Sequence, residues 1–122
     1  MAYINDLAFD AAIGYLVTNG TRLHICSSEP ASAAAAVTAS LGNKATITLG
    51  AATDRTPTGR KTVVPAITDG TVTATGTATH YAIINAGATI LSATGALSAS
   101  QAVTSGNTFT LASFDIGFPD AV

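Results

Sequence analysis

The chain has 122 residues, a formal net charge of -2 and 10% charged residues, against about 25% in an ordinary soluble domain. Its length suits a single domain with one core, spanning residues 1–122. The acidic balance argues against nucleic-acid binding, no apolar run is long enough for a membrane helix, and one cysteine excludes an intramolecular disulfide.

The N-terminal segment, about residues 5–19, has the spacing of an amphipathic helix. Four apolar residues fall on one helical face: Phe9, Ile13, Leu16 and Val17. Asn5 or Asp6 suits the N-cap, and Gly20 suits a C-terminal stop in which glycine adopts positive φ. Gly14 costs the helix about 1 kcal/mol relative to alanine, so we expect it to mark a close approach to a strand.

The next segment, TRLHICS at residues 21–27, alternates as a strand with one buried face does. Leu23 and Ile25 share one face, and the other carries Arg22, His24 and Cys26. In SEPASAAAAVTAS, which follows, Pro30 and the serines favour a loop or a short helix.

Two apolar segments, ATITLG at 45–50 and KTVVPAI at 61–67, predict further strands, and Asp69-Gly70 predicts a tight turn. The polar loop between them holds most of the basic charge: Arg55, Arg60 and Lys61. It lacks the GxxxxGK[ST] pattern of a phosphate-binding loop. The remaining interpretations are a solvated loop or a contact with an acidic partner.

An uncharged run extends over residues 70–114, which contain no Asp, Glu, Lys or Arg. Threonine at every second position predicts one continuous strand with a threonine face, whose candidate partner contacts are Thr71, Thr73, Thr75 and Thr77. That face is either hydrated or packed against another subunit. A return strand and a hairpin at Ser105-Gly106-Asn107 follow, so we interpret residues 62–118 as a β-meander.

Short strands at regular spacing predict a mainly β fold, an antiparallel β-sandwich or barrel of jelly-roll type with one short N-terminal α-helix. No grouping of residues indicates catalysis. His24, Cys26 and His80 lack metal-ligand spacing, no GxSxG occurs, and the acids are scattered. We therefore expect no enzymatic activity, no cofactor and no metal.

Three segments occur in a distinctive order: GTATHYAI at 76–83, ILSATGAL at 90–97 and SGNTF at 105–109. With GTRLHICSSEPAS at 20–32, they resemble segments of small structural proteins of tailed-bacteriophage virions. Those proteins carry strands of the form G-T-x-T-H-x-A/G-I and LL-x-x-G-A-L and a turn S/T-G-D/N-T-F. Asn107 stands where an acid is frequent.

The resemblance implies a virion protein made in the host bacterial cytoplasm. Its first implication is a capsid decoration (cement) protein, a dimer or trimer that binds the major capsid protein or another virion protein. A tail, baseplate or head-fibre component is the alternative. A carbohydrate-binding module is a third reading. With 6% aromatic residues and no tryptophan, the chain has few of the aromatic platforms that such modules usually use.

Overall fold

The computed structural model describes residues 5–56 and 58–118. Within them, 48% of residues are strand and 19% are helix, so the mainly β prediction is confirmed. The elements in chain order are α1 (Asp6–Asn19), β1 (Arg22–Cys26), α2 (Ala33–Ala39), β2 (Ser40–Lys44), β3 (Thr53–Asp54), β4 (Arg60–Val64), β5 (Ile67–Val72), β6 (Gly76–Ile84), β7 (Leu91–Val103), β8 (Thr108–Leu111) and β9 (Phe114–Phe118).

Six strands form an antiparallel sheet in the order β7-β6-β1-β2-β5-β8, which curls into a half-barrel. A smaller sheet has the order β3-β4-β9. One hydrophobic cluster lies between α1 and the two sheets, with contributions from Leu16, Leu23, Val64, Ile83 and Phe109. The predicted antiparallel fold with an N-terminal helix is therefore confirmed.

Helix α1 follows its sequence pattern closely. The Asn5 side chain accepts a hydrogen bond from the Leu7 N–H at 2.8 Å, and the predicted apolar face is buried. Gly20 ends the helix at φ -95°, so the expected positive φ is wrong. A Cβ there would lie 2.6 Å from the Leu16 carbonyl oxygen and 2.8 Å from Ile83 Cγ2, so close packing requires the glycine. Gly14, by contrast, is exposed with open space around it, and the expected approach to a strand is wrong.

Strand β1 is buried on both faces because a second helix covers the face that carries Cys26. The sequence left this segment as a loop or a short helix, and α2 is the short helix. Its N-cap is Ser32, whose hydroxyl accepts a hydrogen bond from the Ala35 N–H at 3.1 Å. Ala33 and Ala36 then pack on Cys26.

The strand predicted at 45–50 is wrong, since the strand before it is β2 and residues 45–50 belong to none. The alternation there reflects burial: Ile47 and Leu49 point into the core, and the Ile47 N–H donates to the Thr21 carbonyl at 2.8 Å, outside any strand. The sequence of β2 shows no apolar alternation. One reason is Gly42, where a side chain would overlap the Thr71 backbone on β5.

The predicted turn at Asp69-Gly70 is also wrong, because both residues lie inside β5. Gly70 is the register partner of Phe109 on β8, and a Cβ there would overlap the phenylalanine ring. The glycine makes room for an aromatic ring in the core and does not reverse the chain.

The long threonine strand is interrupted at residues 73–75, where the chain crosses from β5 to β6. The N–H groups of Thr73 and Ala74 both donate to the Leu41 carbonyl, at 2.8 and 3.1 Å, which anchors the crossing. The period-two exposure nevertheless survives, since Thr71, Thr73, Thr75 and Thr77 are all exposed.

The β-meander predicted for residues 62–118 is wrong. In that region only β6 and β7 are neighbours in both chain and sheet, while β8 pairs with β5 and β9 with β4. The turn at residues 105–107 exists, but two hydrogen bonds hold it against β5: Gly106 N–H to the Val72 carbonyl and Val72 N–H to the Asn107 carbonyl, both 3.0 Å. The chain after the turn therefore joins β5 and does not fold back on β7.

Candidate partner-binding surface

Arg60 has its charge matched inside the molecule. Its Nε lies 2.8 Å from Asp10 on α1 and its Nη1 2.6 Å from Asp54 on β3. Hydrogen bonds to Asp10 and Asp54 raise the pKa of Arg60. The guanidinium thus ties α1 to the small sheet, and little of it is left for a partner.

The other two basic residues of the predicted contact loop lie on the outer side of the small sheet. Lys61 Nζ is 2.9 Å from Asp115 on β9. Arg55 donates from Nη1 to the Thr58 carbonyl at 3.1 Å, and its stem covers Gly117. Of the three basic residues in this loop, Arg55 is the one that has no carboxylate within ion-pair distance among the described residues. Its charge is therefore available to a partner.

The four candidate threonines are exposed but do not share one environment. The Thr75 hydroxyl accepts a hydrogen bond from the Ser105 N–H at 3.1 Å, and Thr73 donates to the Leu41 carbonyl at 3.4 Å. Thr71 and Thr77 make no side-chain hydrogen bond within the described ranges. The structure therefore separates two threonines that stabilise the crossing from two that only face outward.

The exposed part of residues 70–114 is uniformly small and uncharged. Every exposed residue in it is Thr, Ser, Ala, Gly or Asn. The total accessible surface of 6323 Å² is close to the roughly 6,000 Å² expected for a folded monomer of this mass. The exposed surface of residues 70–114 thus carries hydroxyl, methyl and amide groups without charge.

The outer face of α1 is apolar as well, and sequence reasoning passed over it. Leu7 and Tyr15 are 75% and 56% exposed, and the exposed residues between them are Ala8, Ala11 and Gly14. A helix that is apolar on both sides usually has both sides covered. The signal was readable from the sequence, since no charge follows Asp10 before the helix ends.

A groove lies where the half-barrel stays open, and we call it the seam groove. It has a volume of about 450 Å³ and is bounded by the middle of β7 on one side and by residues 111–115 on the other. Tyr81 and Phe114 form its aromatic part, with ring centroids 4.6 Å apart. Burial raises the pKa of Tyr81. At one point the groove is bridged, because Gln101 Nε2 donates to the Thr110 carbonyl at 2.9 Å.

A second, more polar groove of about 450 Å³ adjoins the first, and Asp115 lines both. Its other lining residues are Arg55, Thr56, Lys61 and Gly117. No sequence signal pointed to either groove, because their walls come from strands whose neighbours only the topology defines.

The histidines and the cysteine are held by structural contacts. The Ser40 hydroxyl donates to the Gly42 carbonyl at 3.0 Å, so its oxygen accepts from His24 Nδ1–H at 2.7 Å. Burial and then the nearby Arg22 lower the pKa of His24. The Cys26 thiol faces the Ala36 carbonyl at 3.6 Å, and burial raises its pKa to about 11.

Cys26 and His80 are register partners, but His80 Nδ1 contacts Thr79 Oγ1 at 2.9 Å. The described residues contain no group of three or more His, Cys, Asp or Glu side chains placed to hold a metal ion. Over the same ranges, no helix is long and apolar enough to cross a membrane.

Comparison with known proteins gave no match among family models, curated proteins or solved structures.

Proposed function

We propose that the chain is a non-enzymatic structural protein of a tailed-bacteriophage virion, and specifically a capsid decoration protein that binds and stabilises the major capsid protein lattice. The proposal starts from the ordered resemblance of residues 76–83, 90–97 and 105–109 to such proteins. The observation that supports it best is the uncharged, small-residue surface of residues 70–114.

A surface of this kind suits broad, flat packing. Interfaces are depleted of charge at their centres, and burying Thr, Ala and Ser costs little side-chain entropy compared with burying long charged side chains. The apolar outer face of α1 supports assembly independently, because Leu7 and Tyr15 lie exposed on it. We propose that these two surfaces are covered in a homo-oligomer, a dimer or trimer, and at its contact with the capsid.

The basic loop has a narrower role in this proposal than its sequence indicated. Arg60 and Lys61 neutralise Asp10, Asp54 and Asp115 within the chain. Arg55 is then the basic residue of the loop that meets an acidic group on a partner.

Particles that lack this protein test the proposal. A protein that binds only the intact lattice stabilises it by mass action, so depleted particles should release DNA at a lower temperature than wild-type particles. They should keep their tails and adsorb normally, and adding the purified protein should restore heat resistance. Depleted particles with normal heat resistance that are tailless or fail to adsorb would refute the capsid role and favour the tail or fibre alternative.

A further inference from the structure

We propose that the seam groove binds an extended peptide segment of a partner protein, with an acidic side chain of that segment reaching Arg55. The inference rests on the proposed role in assembly, because it names the kind of segment through which the partner is held.

The walls of the seam groove suit an extended backbone. The register of β7 moves from Ala96 opposite His80 to Gln101 opposite Ala78, so residues 97–100 have no partner on β6. Across the groove, Ala112 and Ser113 connect β8 to β9 and belong to neither strand. Segments outside regular pairing offer backbone N–H and C=O groups to an incoming chain, which is how strand addition gains affinity.

β7 is also an unprotected edge. It is 13 residues long, pairs only with β6 among the described strands, and contains no charged residue or proline. Edge strands usually carry charge, proline or a covering element to prevent pairing with other chains. An edge without charge or proline next to an open groove favours a peptide as the occupant.

The charges define the chemistry of the peptide. The polar groove that shares Asp115 with the seam groove carries two cations, Arg55 and Lys61, against one carboxylate. Lys61 is paired with Asp115 at 2.9 Å, which leaves the Arg55 guanidinium in excess among the described residues. An aspartate or glutamate in the bound segment would balance it.

The aromatic residues favour a peptide side chain over a sugar. Tyr81 and Phe114 are both half-buried and tilted at 48° against each other, so neither ring is a fully exposed platform. An aliphatic side chain of the peptide suits such a half-buried pair. A sugar ring stacks on an exposed aromatic face, which this pair does not provide.

Selection from a random peptide library tests the proposal. Peptides of about nine residues, which span about 30 Å when extended, would be displayed as fusions to their own mRNA and selected on the full chain. We expect enrichment of uncharged β-forming sequences with one Asp or Glu at a fixed position. Replacing that acid by its amide should weaken binding about fivefold, the upper range for an exposed charge pair.

Variants of the chain locate the site. Ala99→Arg and Ala112→Arg place a large side chain on each wall and should abolish binding, while Ala34→Arg on α2 is the matched control outside the groove and should not. Arg55→Gln should weaken binding to acidic peptides about fivefold, and Arg55→Lys should preserve most of it. Unchanged thermal denaturation of each variant shows that the fold is intact.

Several outcomes overturn the inference. They are no enrichment above the Ala99→Arg background, enrichment that is indifferent to Arg55, or binding confined to acidic oligosaccharides on a glycan array. The same variants added to depleted particles separate this inference from the proposed function. If Ala99→Arg and Ala112→Arg bind and stabilise particles like wild type, the peptide groove is refuted while the decoration role stands.

Discussion

Two glycines within regular secondary structure differ in what a methyl group would meet. Gly70 on β5 lies opposite the buried Phe109, whose Cδ1 is 2.6 Å from the position of an added Cβ, whereas Gly14 on α1 faces open space. We expect Gly70→Ala to lower the free energy of unfolding by about 1–3 kcal/mol through overpacking. Gly14→Ala, the matched control, should raise it by about 0.5–1 kcal/mol through helix propensity.

Urea denaturation of the two variants measures both changes. If the Phe109 ring causes the loss, Gly70→Ala should cost less in a Phe109→Leu background, which a double-mutant cycle detects. Equal losses in both backgrounds would show that backbone conformation, and not the ring, requires the glycine.

His24 makes the stability of the protein depend on pH. Burial and Arg22 lower its pKa in the folded chain, while the unfolded chain binds the proton at about 6.5. The stability that this pKa difference contributes is therefore complete above about pH 6.5. It is lost as the pH falls toward the lower pKa of His24 in the folded chain. We expect the free energy of unfolding to fall between pH 7 and 5, by at most about 1.4 kcal/mol per pH unit.

The control for this pH dependence is His24→Asn, which keeps a donor near Ser40 but does not titrate. Its unfolding free energy should vary less over the same range than that of the wild type. A wild-type slope that persists in His24→Asn would assign the effect to other groups.

At the scale of elements, α2 acts as a cover over β1. Its Ala33 and Ala36 pack on Cys26, which is fully buried, so the thiol becomes reactive only when α2 opens or the whole chain unfolds. Ala34→Gly, at an exposed position of α2, lowers helix propensity by about 1 kcal/mol and should speed labelling of Cys26 by a thiol reagent about fivefold. Ala11→Gly imposes the same propensity loss on α1.

Labelling kinetics of the two glycine variants distinguish local from global opening. If α2 opens by itself, Ala11→Gly leaves the labelling rate near that of the wild type. Equal acceleration in both variants would mean that Cys26 is exposed only by global unfolding, and α2 would then be part of one cooperative unit with the sheets.

For the whole molecule, the open question is whether the uncharged surface is covered in an assembly. Thr71→Lys and Thr77→Lys test it, because both side chains point outward and make no hydrogen bond in the described ranges. Thr75→Lys is less clean, since its hydroxyl accepts from the Ser105 N–H. Burying an unpaired ammonium costs several kcal/mol, so particle occupancy and self-association should fall about tenfold or more.

Thr68→Lys is the matched control. Thr68 is an exposed threonine on the same strand as Thr71, but it lies outside the uncharged run. Its neighbour Asp69 is paired with Lys44 at 2.8 Å, so charge is already present there. Sedimentation and particle-binding assays should find this variant like wild type. If the Thr71 and Thr77 variants also assemble normally, their surface is hydrated and not an interface.

Local periodicity in the sequence was enough to define several features. The face of α1 and the outward threonines of residues 71–77 follow from a repeat of 3.6 or 2.0 residues. These features depend on which side of an element is apolar, and that is encoded residue by residue. The fold class follows from the same information, since many short alternating segments favour an antiparallel curled sheet.

Only the tertiary structure decided which elements are neighbours, and several of the wrong predictions have that cause. Gly70 was interpreted as a turn because its reason, the Phe109 ring, is 39 positions away in sequence and directly opposite in the sheet. Arg60 was interpreted as a partner contact because Asp10 approaches it only when α1 packs on β4. The seam groove exists because β7 and β8 are edges of one curled sheet, and pairing between distant segments has no local signature in a chain.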